Sequence, residues 1–507
     1  MHLSRFAFAM LTVIGLTASG WAQQPQPKPA PISEATKTTV RASNDFACNL
    51  FRQLAGEKPN ANAFVSPWSI SSALAMTLEG ARGDCAAEMG LVLGLPKDLR
   101  QEGDRPWRLS PYHEGFADLQ RRCTPPRNQL KDDAARAKIA VLKKELAALN
   151  QKIQRGQEGD LFAKAQKLAA EINVLQQQFD LFELNVANAI WGEKTYPFKP
   201  AYADAVGQHY GTGLIRQADF INSFPAERAK INRWVEDQTK DKIKNLIPEI
   251  PEIQARLIRM ILVNAIYFKG QWSDPFEKKW TKDEAFLLAD GSKQQAAFMR
   301  GTLAARYAAF NGDGSFFETP RIIGVVSKEK TYPDDNGFLI AELPYKGNRL
   351  AMTVIAPRSP SGLSTLEKKL TGEALTKWLA RLESRSVQVK LPKFKLDTEY
   401  ELGPLLGKLG MKKAIEPEKA DFTGMTLSNE KDGLHISRVI HKAFVDVNEE
   451  GTEAAAATAV IMALPTSVQT TFPFTPEFNA NRPFVFLIRE VDTGAILFMG
   501  RMTTPGK

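Results

Sequence analysis

Several stretches of the chain carry hydrophobic patterns that are typical of β-strands. Residues 257–272, LIRMILVNAIYFKGQW, form an almost continuous apolar run rich in β-branched residues, which predicts a strand buried on both faces. Residues 182–192, FELNVANAIWG, alternate between apolar and polar positions and predict a second strand. Residues 338–357 predict a β-hairpin with its turn at Lys346-Gly347-Asn348. The chain therefore contains several strands of a substantial sheet.

Helical periodicity is found between these strands. Apolar residues recur at helical spacing in residues 44–54, and a small-residue helix is predicted after a Ser-Pro turn. In that turn Ser66 is suited to cap the helix and Pro67 to occupy its first position. Further helices are predicted at 112–122, 197–209, 225–243, 364–382 and 402–410.

A different pattern occupies residues 125–179. Apolar residues spaced by three and four predict one helix at 132–154 and a second at 161–179, joined by the turn-rich residues 155–160. The apolar positions of the two helices are Ile139, Leu142, Leu146, Leu149 and Ile153, then Leu168, Ile172 and Leu175. This pattern predicts an antiparallel helical hairpin that resembles a coiled coil. Surface decoration, a partner-docking element and a dimer contact are all open roles for it.

Residues 448–483 can be interpreted in two ways. The Ala-rich run 453–464 favours a helix, because alanine has the highest helix propensity. With a period of two, however, the same residues present one uncharged face that begins with small side chains. That face consists of Thr452, Ala454, Ala456, Thr458, Val460, Met462 and Leu464. The segment is therefore suited both to an exposed loop and to a strand accepted in the middle of a sheet.

A family resemblance is visible at this segment. The run GTEAAAATAV, preceded by HKAFVDVNEE and followed by FNANRPFVFLIRE and ILFMGRMTTP, resembles the hinge, reactive loop and C-terminal strands of a serpin. The resemblance implies an α+β fold with a large central mixed β-sheet, two further sheets, about nine helices and an exposed reactive loop. It also implies a single-use protease inhibitor whose loop, once cut, inserts into the main sheet.

The resemblance assigns roles to three groups of residues. The hinge, at which insertion starts, comprises Glu449, Gly451, Thr452, Glu453, Ala454, Ala456 and Thr458. The shutter, a polar cluster that holds the central strands closed, comprises Ser66, Ser69, Asn188, Asn264 and His441. The breach, at the top of the sheet, comprises Trp272 and Lys393. From the residue types alone, a capped core helix with a hydrogen-bonded histidine and an exposed edge lysine explain the same side chains.

The cleaved bond is assigned by hinge spacing. Counting from Gly451 by the usual spacing of the family leads to Pro465–Thr466. Since proline suits few protease pockets, an offset of the loop makes Met462, Ala463, Leu464 and Ser467 alternatives. No Lys or Arg occurs in residues 460–471, which makes a trypsin-like target improbable and favours an apolar specificity.

Composition adds few constraints. The 507 residues are 43% hydrophobic and 24% charged, as expected for a globular protein with a large core. The net charge of +9 favours a solvated basic surface, and no motif indicates nucleic-acid binding. With five histidines and no HExxH, Gly-x-Ser-x-Gly or Walker motif, we expect no enzyme activity, no cofactor and no metal site.

The N-terminal residues suggest export. A weakly basic start, a short apolar run and Gly20-Trp21-Ala22 predict a signal peptide at 1–22, followed by a Pro/Gln-rich linker at 23–43 and a main domain at 44–507. The expected location is secreted or periplasmic, with no membrane span. The odd number of cysteines leaves at least one unpaired within the chain; Cys48 is expected to be a buried thiol, and a Cys85–Cys123 disulfide is allowed.

The sequence predicts one of two functions. The first is a suicide-substrate inhibitor that traps a serine, or alternatively a cysteine, endopeptidase covalently and works as a monomer. The second is a non-inhibitory binding or scaffold protein on the same fold, acting through the helical hairpin.

Overall fold

The fold combines two β-sheets with surrounding helices. The structure, a computed structural model, describes residues 31–123, 129–154, 160–161, 164–165, 167–168, 171–172, 175, 182–321, 331–426, 433–452 and 474–506. These residues include eleven α-helices, so the predicted α+β class and serpin-like fold are confirmed. The described part of the chain thus has more helices than the nine or so that the resemblance implies.

The helices precede, connect and cover the sheets. They are α1 Glu34–Glu57, α2 Pro67–Gly80, α3 Gly83–Val92, α4 Ser110–Cys123, α5 Gln129–Gln154, α6 Pro200–Tyr210, α7 Phe220–Gln238, α8 Glu252–Ala255, α9 Leu363–Lys369, α10 Gly372–Leu379 and α11 Gly403–Leu409.

The strands come from the whole length of the chain. They are β1 Ala63–Val65, β2 Phe182–Glu193, β3 Ile215–Ala218, β4 Met260–Gln271, β5 Lys282–Leu287, β6 Lys293–Phe310, β7 Phe316–Phe317, β8 Phe338–Pro344, β9 Leu350–Pro357, β10 Glu383–Pro392, β11 Phe394–Glu401, β12 Arg438–Asn448, β13 Gly451–Thr452, β14 Glu477–Asn479, β15 Phe484–Glu490 and β16 Ile496–Met502.

A six-stranded sheet has the order β11-β12-β13-β4-β2-β3. Its centre is a parallel pair, because residues 438–444 of β12 lie beside residues 261–267 of β4. The flanking pairs β11–β12 and β2–β4 are antiparallel. Strand β4 is apolar and buried along almost its whole length, as the run at 257–272 predicts. The sheet thus has a parallel seam at its centre between two antiparallel pairs, and its edge strand β3 is also parallel to β2.

A ten-stranded sheet packs with it. Its order is β1-β16-β15-β9-β8-β6-β10-β14, with β5 and β7 also paired to β6. The two further sheets expected from the sequence are joined here, because the 18-residue strand β6 takes part in both. Its first part pairs with β5 and β10, and its last residues pair with β7 and β8.

Helix α1 begins earlier than the sequence pattern indicates. It starts at Glu34, with Ser33 as its N-cap, and so includes residues of the expected linker 23–43. Thr36 and Thr39 are fully buried, and their hydroxyls donate to Asp118 and to the Tyr112 carbonyl of α4. Threonine does not look apolar in a sequence, so tertiary contacts rather than periodicity extend this helix.

Helix α5 packs against the residues that follow it. Ile139 and Leu142 form a buried cluster with Ile172, and Lys138 lies 2.9 Å from Glu171 in an ion pair. Described residues between 161 and 175 are helical. The segment therefore folds back on α5 and has a small apolar core of its own.

The three cysteines are buried and free. Burial raises the pKa of both Cys48 and Cys85 to about 12, and it also raises the pKa of Cys123. Across the described ranges, every helix is too short or too polar to cross a lipid bilayer.

Candidate functional site

The predicted hinge enters the six-stranded sheet at the top of its parallel seam. Strand β13 consists of Gly451 and Thr452 and lies between β12 and β4. On one side Thr452 is opposite Val447, and on the other side it is opposite Gly270. Both pairings are antiparallel. Gly451 and Thr452 of the predicted hinge are therefore already a strand of the sheet.

Gly451 is required by the geometry of this entry. Its φ is +149°, a conformation that residues with a Cβ atom rarely adopt. A Cβ atom there would also overlap the carbonyl oxygen of Gly270 on the neighbouring strand. A side chain at position 451 would thus push the entering segment away from β4.

Thr452 is fully buried, and its hydroxyl is hydrogen-bonded. The Thr452 Oγ1 atom lies 2.7 Å from the Tyr345 hydroxyl oxygen. The Tyr345 ring stacks on Trp272, with ring centroids 4.7 Å apart. Burial raises the pKa of Tyr345, so its hydroxyl stays protonated. This environment accepts a small uncharged side chain with one hydroxyl.

Trp272 holds the chain just before the hinge. Its backbone N–H donates to the Glu450 carbonyl at 2.9 Å, and its indole Nε1–H donates to the Asn448 carbonyl at 2.9 Å. The turn between β12 and β13 is therefore fixed to the end of β4 by two hydrogen bonds from one residue.

Glu449 connects the turn to Lys393, the other predicted breach residue. Lys393 Nζ lies 3.1 Å from Glu449 Oε2, and the Thr281 hydroxyl donates to Oε1 at 2.8 Å. Burial raises the pKa of Glu449, but the hydrogen bonds and Lys393 outweigh it and hold that pKa below its ordinary value. Glu450 makes a second ion pair with Lys278, at 2.5 Å.

The five predicted shutter residues lie together in the middle of the seam. Asn264 Nδ2 donates to Ser69 Oγ at 2.5 Å and to Asn188 Oδ1 at 2.6 Å, and the Ser69 hydroxyl donates to Asn188 Oδ1 at 2.9 Å. Ser66 contributes its backbone N–H to His441 Nε2, at 3.1 Å, while its hydroxyl caps α2 and donates to the Leu497 carbonyl. The cluster links α2 to β2, β4 and β12.

His441 crosses the seam itself. It is opposite Asn264 in the parallel register, and its Nδ1–H donates to Asn264 Oδ1. Because Nε2 accepts the Ser66 N–H, the ring is the neutral tautomer with its proton on Nδ1. Burial lowers the pKa of His441 to about 3. The imidazole is therefore an uncharged structural bridge.

The remaining predicted site residues lie outside the described residues. These are the hinge residues Glu453, Ala454, Ala456 and Thr458 and the reactive-bond candidates Met462, Ala463, Leu464, Pro465, Thr466 and Ser467.

Sequence reasoning missed several contacts at the entry. Tyr345, Thr281 and Asn448 all bond to hinge or breach residues. Tyr345 directly precedes the predicted hairpin turn, and nothing in its local pattern indicates a contact with residue 452. Only the tertiary fold brings these positions together.

The described part of the site combines a two-residue strand with a buried polar cluster. Among the described residues, no three or more His, Cys, Asp or Glu side chains are grouped to hold a metal ion. His441 is hydrogen-bonded on both nitrogens and buried, so it cannot act as a base toward a substrate. At the top of the seam β12 and β4 are separated by the two residues of β13, and below it they pair directly.

Comparison with known proteins gives one consistent result. The family profile described as Serpin (serine protease inhibitor) matches residues 41–505. Human Serpin B4 is 35% identical over 467 residues, which cover 92% of this chain and 98% of that protein, and human Serpin B3 is 35% identical over 468 residues with the same coverage. Among solved structures, human thyroxine-binding globulin has a TM-score of 0.67 at 25% identity, covering 93% of this chain and all of that one. Uncleaved ovalbumin has a TM-score of 0.66 at 25% identity, with coverages of 92% and 100%.

The comparisons correct the expected location. The curated relatives include serpins B3, B4, B6 and B10, which are intracellular members of the family without signal peptides. The prediction of a secreted or periplasmic protein is therefore wrong by this comparison. It depended on a short apolar run and a small-residue site within residues 1–22, a compositional criterion that is easily met.

A profile match over most of the chain agrees with the fold and with the relatives that are 35% identical. Serpins are generally protease inhibitors rather than enzymes, and their usual partners are proteases. The chain belongs to the serpin family.

Proposed function

We propose that this serpin is a single-use inhibitor that traps a serine or cysteine endopeptidase by inserting its cleaved loop into the six-stranded sheet. The observation that carries the proposal is the pairing of Gly451 and Thr452 with both β12 and β4. A loop that is anchored as a strand at its first residues has a direction and a register in which to continue.

The parallel seam gives the insertion its driving force. A strand that continues from Thr452 would run antiparallel to both β12 and β4 and would separate their parallel pairing, which now covers residues 438–444 and 261–267. One parallel ladder is then replaced by two antiparallel ladders, which are slightly more stable per residue. Each added hydrogen bond contributes about 0.5–1.5 kcal/mol net.

The side chains that follow Thr452 suit this path. At a period of two, the residues on its face are Ala454, Ala456 and Thr458, all small and uncharged. In this proposal they pass the buried seam without placing a charge or a bulky group against it. We assign them, with Glu449, Gly451 and Glu453, to the hinge.

The protease supplies the covalent chemistry. Its serine or cysteine attacks the carbonyl carbon of the bond between residues 465 and 466, the amine leaves, and an acyl-enzyme ester or thioester remains on residue 465. Met462, Ala463, Leu464 and Ser467 are the alternatives if the loop is offset. The absence of Lys and Arg from residues 460–471 favours a protease with an apolar primary pocket.

The test is incubation with elastase-like, chymotrypsin-like, trypsin-like and papain-like proteases. We expect an SDS-stable adduct with at least one apolar-specific enzyme, and mass spectrometry of the released peptide identifies the cleaved bond. Cleaved protein without a bound protease should also unfold at a higher temperature than intact protein. Complete cleavage without any adduct, and without a gain in thermal stability, contradicts the proposal.

That contradicting outcome would favour the second function, a binding protein that acts through the segment around α5. The buried cluster of Ile139, Leu142 and Ile172 and the Lys138–Glu171 ion pair support a hairpin that folds on itself. We propose that residues 125–179 are a helical hairpin inserted between α4 and β2. Deleting them should then abolish partner binding and leave the unfolding transition of the main body in place.

A further inference from the structure

A groove of about 570 Å³ lies on one face of the ten-stranded sheet. It is formed where β6, β10 and the short edge strand β14 run side by side, and its lining includes Trp280, Lys282, Arg300, Lys390, Glu477 and Asn479. Neither the hinge nor the shutter uses any of these residues.

The strand register places like charges directly opposite each other in this groove. Arg300 of β6 is opposite Lys390 of β10, which in turn is opposite Asn479 of β14. Like charges directly opposite in a sheet are destabilising. One carboxylate, that of Glu284, contacts both cations. Burial, and then the charge of Arg300, lower the pKa of Lys390. The row therefore carries more positive charge than its one carboxylate balances.

Two polar atoms in the same row are unpaired. Arg300 Nε and Asn479 Oδ1 are buried and have no hydrogen-bond partner among the described residues. Such atoms are rare in folded proteins, because a buried polar atom without a partner has lost its hydrogen bonds to water. One is a donor and the other an acceptor, so a ligand with both an anionic oxygen and an N–H group would satisfy the row. An acidic peptide has both.

An aromatic side chain completes the groove. Trp280 is 40% exposed, and Trp and Arg are the residue types that most often dominate binding energy at protein interfaces. Lys282, two residues after Trp280, is also exposed. Glu477 is an acidic residue of the lining and lies opposite Gln388 in the strand register. An acidic segment is therefore expected to bind over the cations, with an apolar side chain against Trp280.

The groove is close in sequence to the predicted reactive bond, and this closeness indicates which protein presents the acidic segment. Strand β14 begins at Glu477, ten residues after Ser467. Ten residues span at most about 35 Å, and a protease domain of ordinary size has a radius of gyration of roughly 17 Å. The groove is therefore within the distance that a protease attached to the loop could span. We propose that the groove is a second docking site for an acidic surface segment of the protease that this serpin traps.

This proposal rests on the proposed function, but it can be tested separately. The first experiment titrates intact protein with hexaglutamate peptide by calorimetry. We expect saturable binding that weakens roughly tenfold or more in Arg300→Gln/Lys390→Gln, because two charge-assisted contacts are lost. The matched control, Lys37→Gln/Lys419→Gln, removes the same charge from exposed sites outside the groove and should change binding less than about twofold. Trp280→Ala and Lys282→Gln, at exposed positions, provide variants with little risk to folding.

The second experiment measures the association rate constant with any protease that forms an adduct. We expect the groove variants to slow association and the control pair to leave it unchanged. The site is overturned if both variant pairs weaken hexaglutamate binding equally, or if the peptide does not bind at all. It is also overturned if only dextran sulfate, and not the peptide, binds in a way that the groove variants weaken. Peptide binding without any effect on adduct formation overturns the partner assignment. If no protease forms an adduct, the proposed function fails, and the peptide titration still decides the groove.

Discussion

The top and the middle of the parallel seam are held closed by different kinds of contact. At the top, hydrogen bonds are joined by two ion pairs that reach the surface, since the Lys278 side chain is 68% exposed and that of Lys393 40% exposed. In the middle, Ser69, Asn264 and His441 are fully buried and bond to one another or to the backbone. Exposed ion pairs contribute little to stability, whereas breaking a buried polar network is costly.

This difference indicates the order of opening. Strand β13 lies at the top of the seam, and the buried polar cluster lies further along it, in the middle. We infer that the energy barrier to insertion lies at the shutter.

The largest effect is expected from Thr452→Arg. A charged side chain would replace a buried hydroxyl beside Tyr345, where an unpaired charge costs several kcal/mol. The variant should lose the SDS-stable adduct and be cleaved as a plain substrate, as seen on gels and by residual protease activity. Thr452→Ser keeps the hydroxyl and should still inhibit. Unchanged inhibition by the Arg variant would rule out insertion at this position.

Asn264→Ala should destabilise the intact protein by about 2–4 kcal/mol, because it leaves buried partners on Ser69, Asn188 and His441 unsatisfied. Denaturant unfolding of the uncleaved protein measures this. The matched change at the top, Lys278→Ala, should shift the unfolding free energy far less, because this exposed ion pair is screened by solvent. Equal shifts in the two variants would refute the contrast between the two regions.

As the pH falls, the contacts of His441 in the middle of the seam should weaken before the ion pairs at the top of the seam. The folded-state pKa of His441, about 3, lies below the ordinary value of 6.5, so the unfolded chain binds more protons in that window and stability falls as the pH drops from 6.5 toward 3. The slope from this group is at most about 1.4 kcal/mol per pH unit.

His435 and His209 also have lowered pKa values, and burial is the main cause in both. The measurement is therefore the difference between wild type and His441→Gln, which should isolate the slope of His441 from theirs. Glu449 contributes to the pH dependence of the unfolding free energy only below its ordinary pKa of 4.5, because its folded-state pKa is lowered. Parallel pH profiles for the two proteins would show that His441 does not carry the effect.

The smallest effect is expected from Lys393→Met. It removes the ion pair with Glu449, whose other hydrogen bond, from Thr281, remains. The unfolding free energy should fall by less than about 1 kcal/mol, and 1 M salt should reduce the difference further. A loss as large as that of Asn264→Ala would mean that the top is also a major restraint.

Much of the fold follows from patterns along the sequence. The alternating run at 182–192 corresponds to β2, Phe182–Glu193, and the predicted hairpin at 338–357 corresponds to β8 and β9. Such elements are predictable because one face of each strand must be apolar to pack on the core. The start of α1 was not predictable in this way, because the buried face of its first turns is made of threonines.

The site required information of another kind. Ser66, Asn188 and His441 are far apart in sequence, and their residue types fit an ordinary capped helix and core histidine equally well. Only the family resemblance grouped them, and their functional role stays a prediction. The contact between Tyr345 and Thr452, and the opposed cations Arg300 and Lys390, depend on strand register, which short-range patterns do not specify.

The three buried thiols have a practical consequence. Alkylating reagents attack the thiolate, and pKa values of about 12 for Cys48 and Cys85 leave almost none of it at neutral pH while the body stays closed. All three lie in or near helices, namely α1, α3 and α4, rather than in the central strands. Iodoacetamide should therefore not label the cysteines when a strand inserts into the sheet and the helices stay folded. It should label them when the helices unfold. Cysteine labelling of the native protein should thus distinguish strand insertion from unfolding.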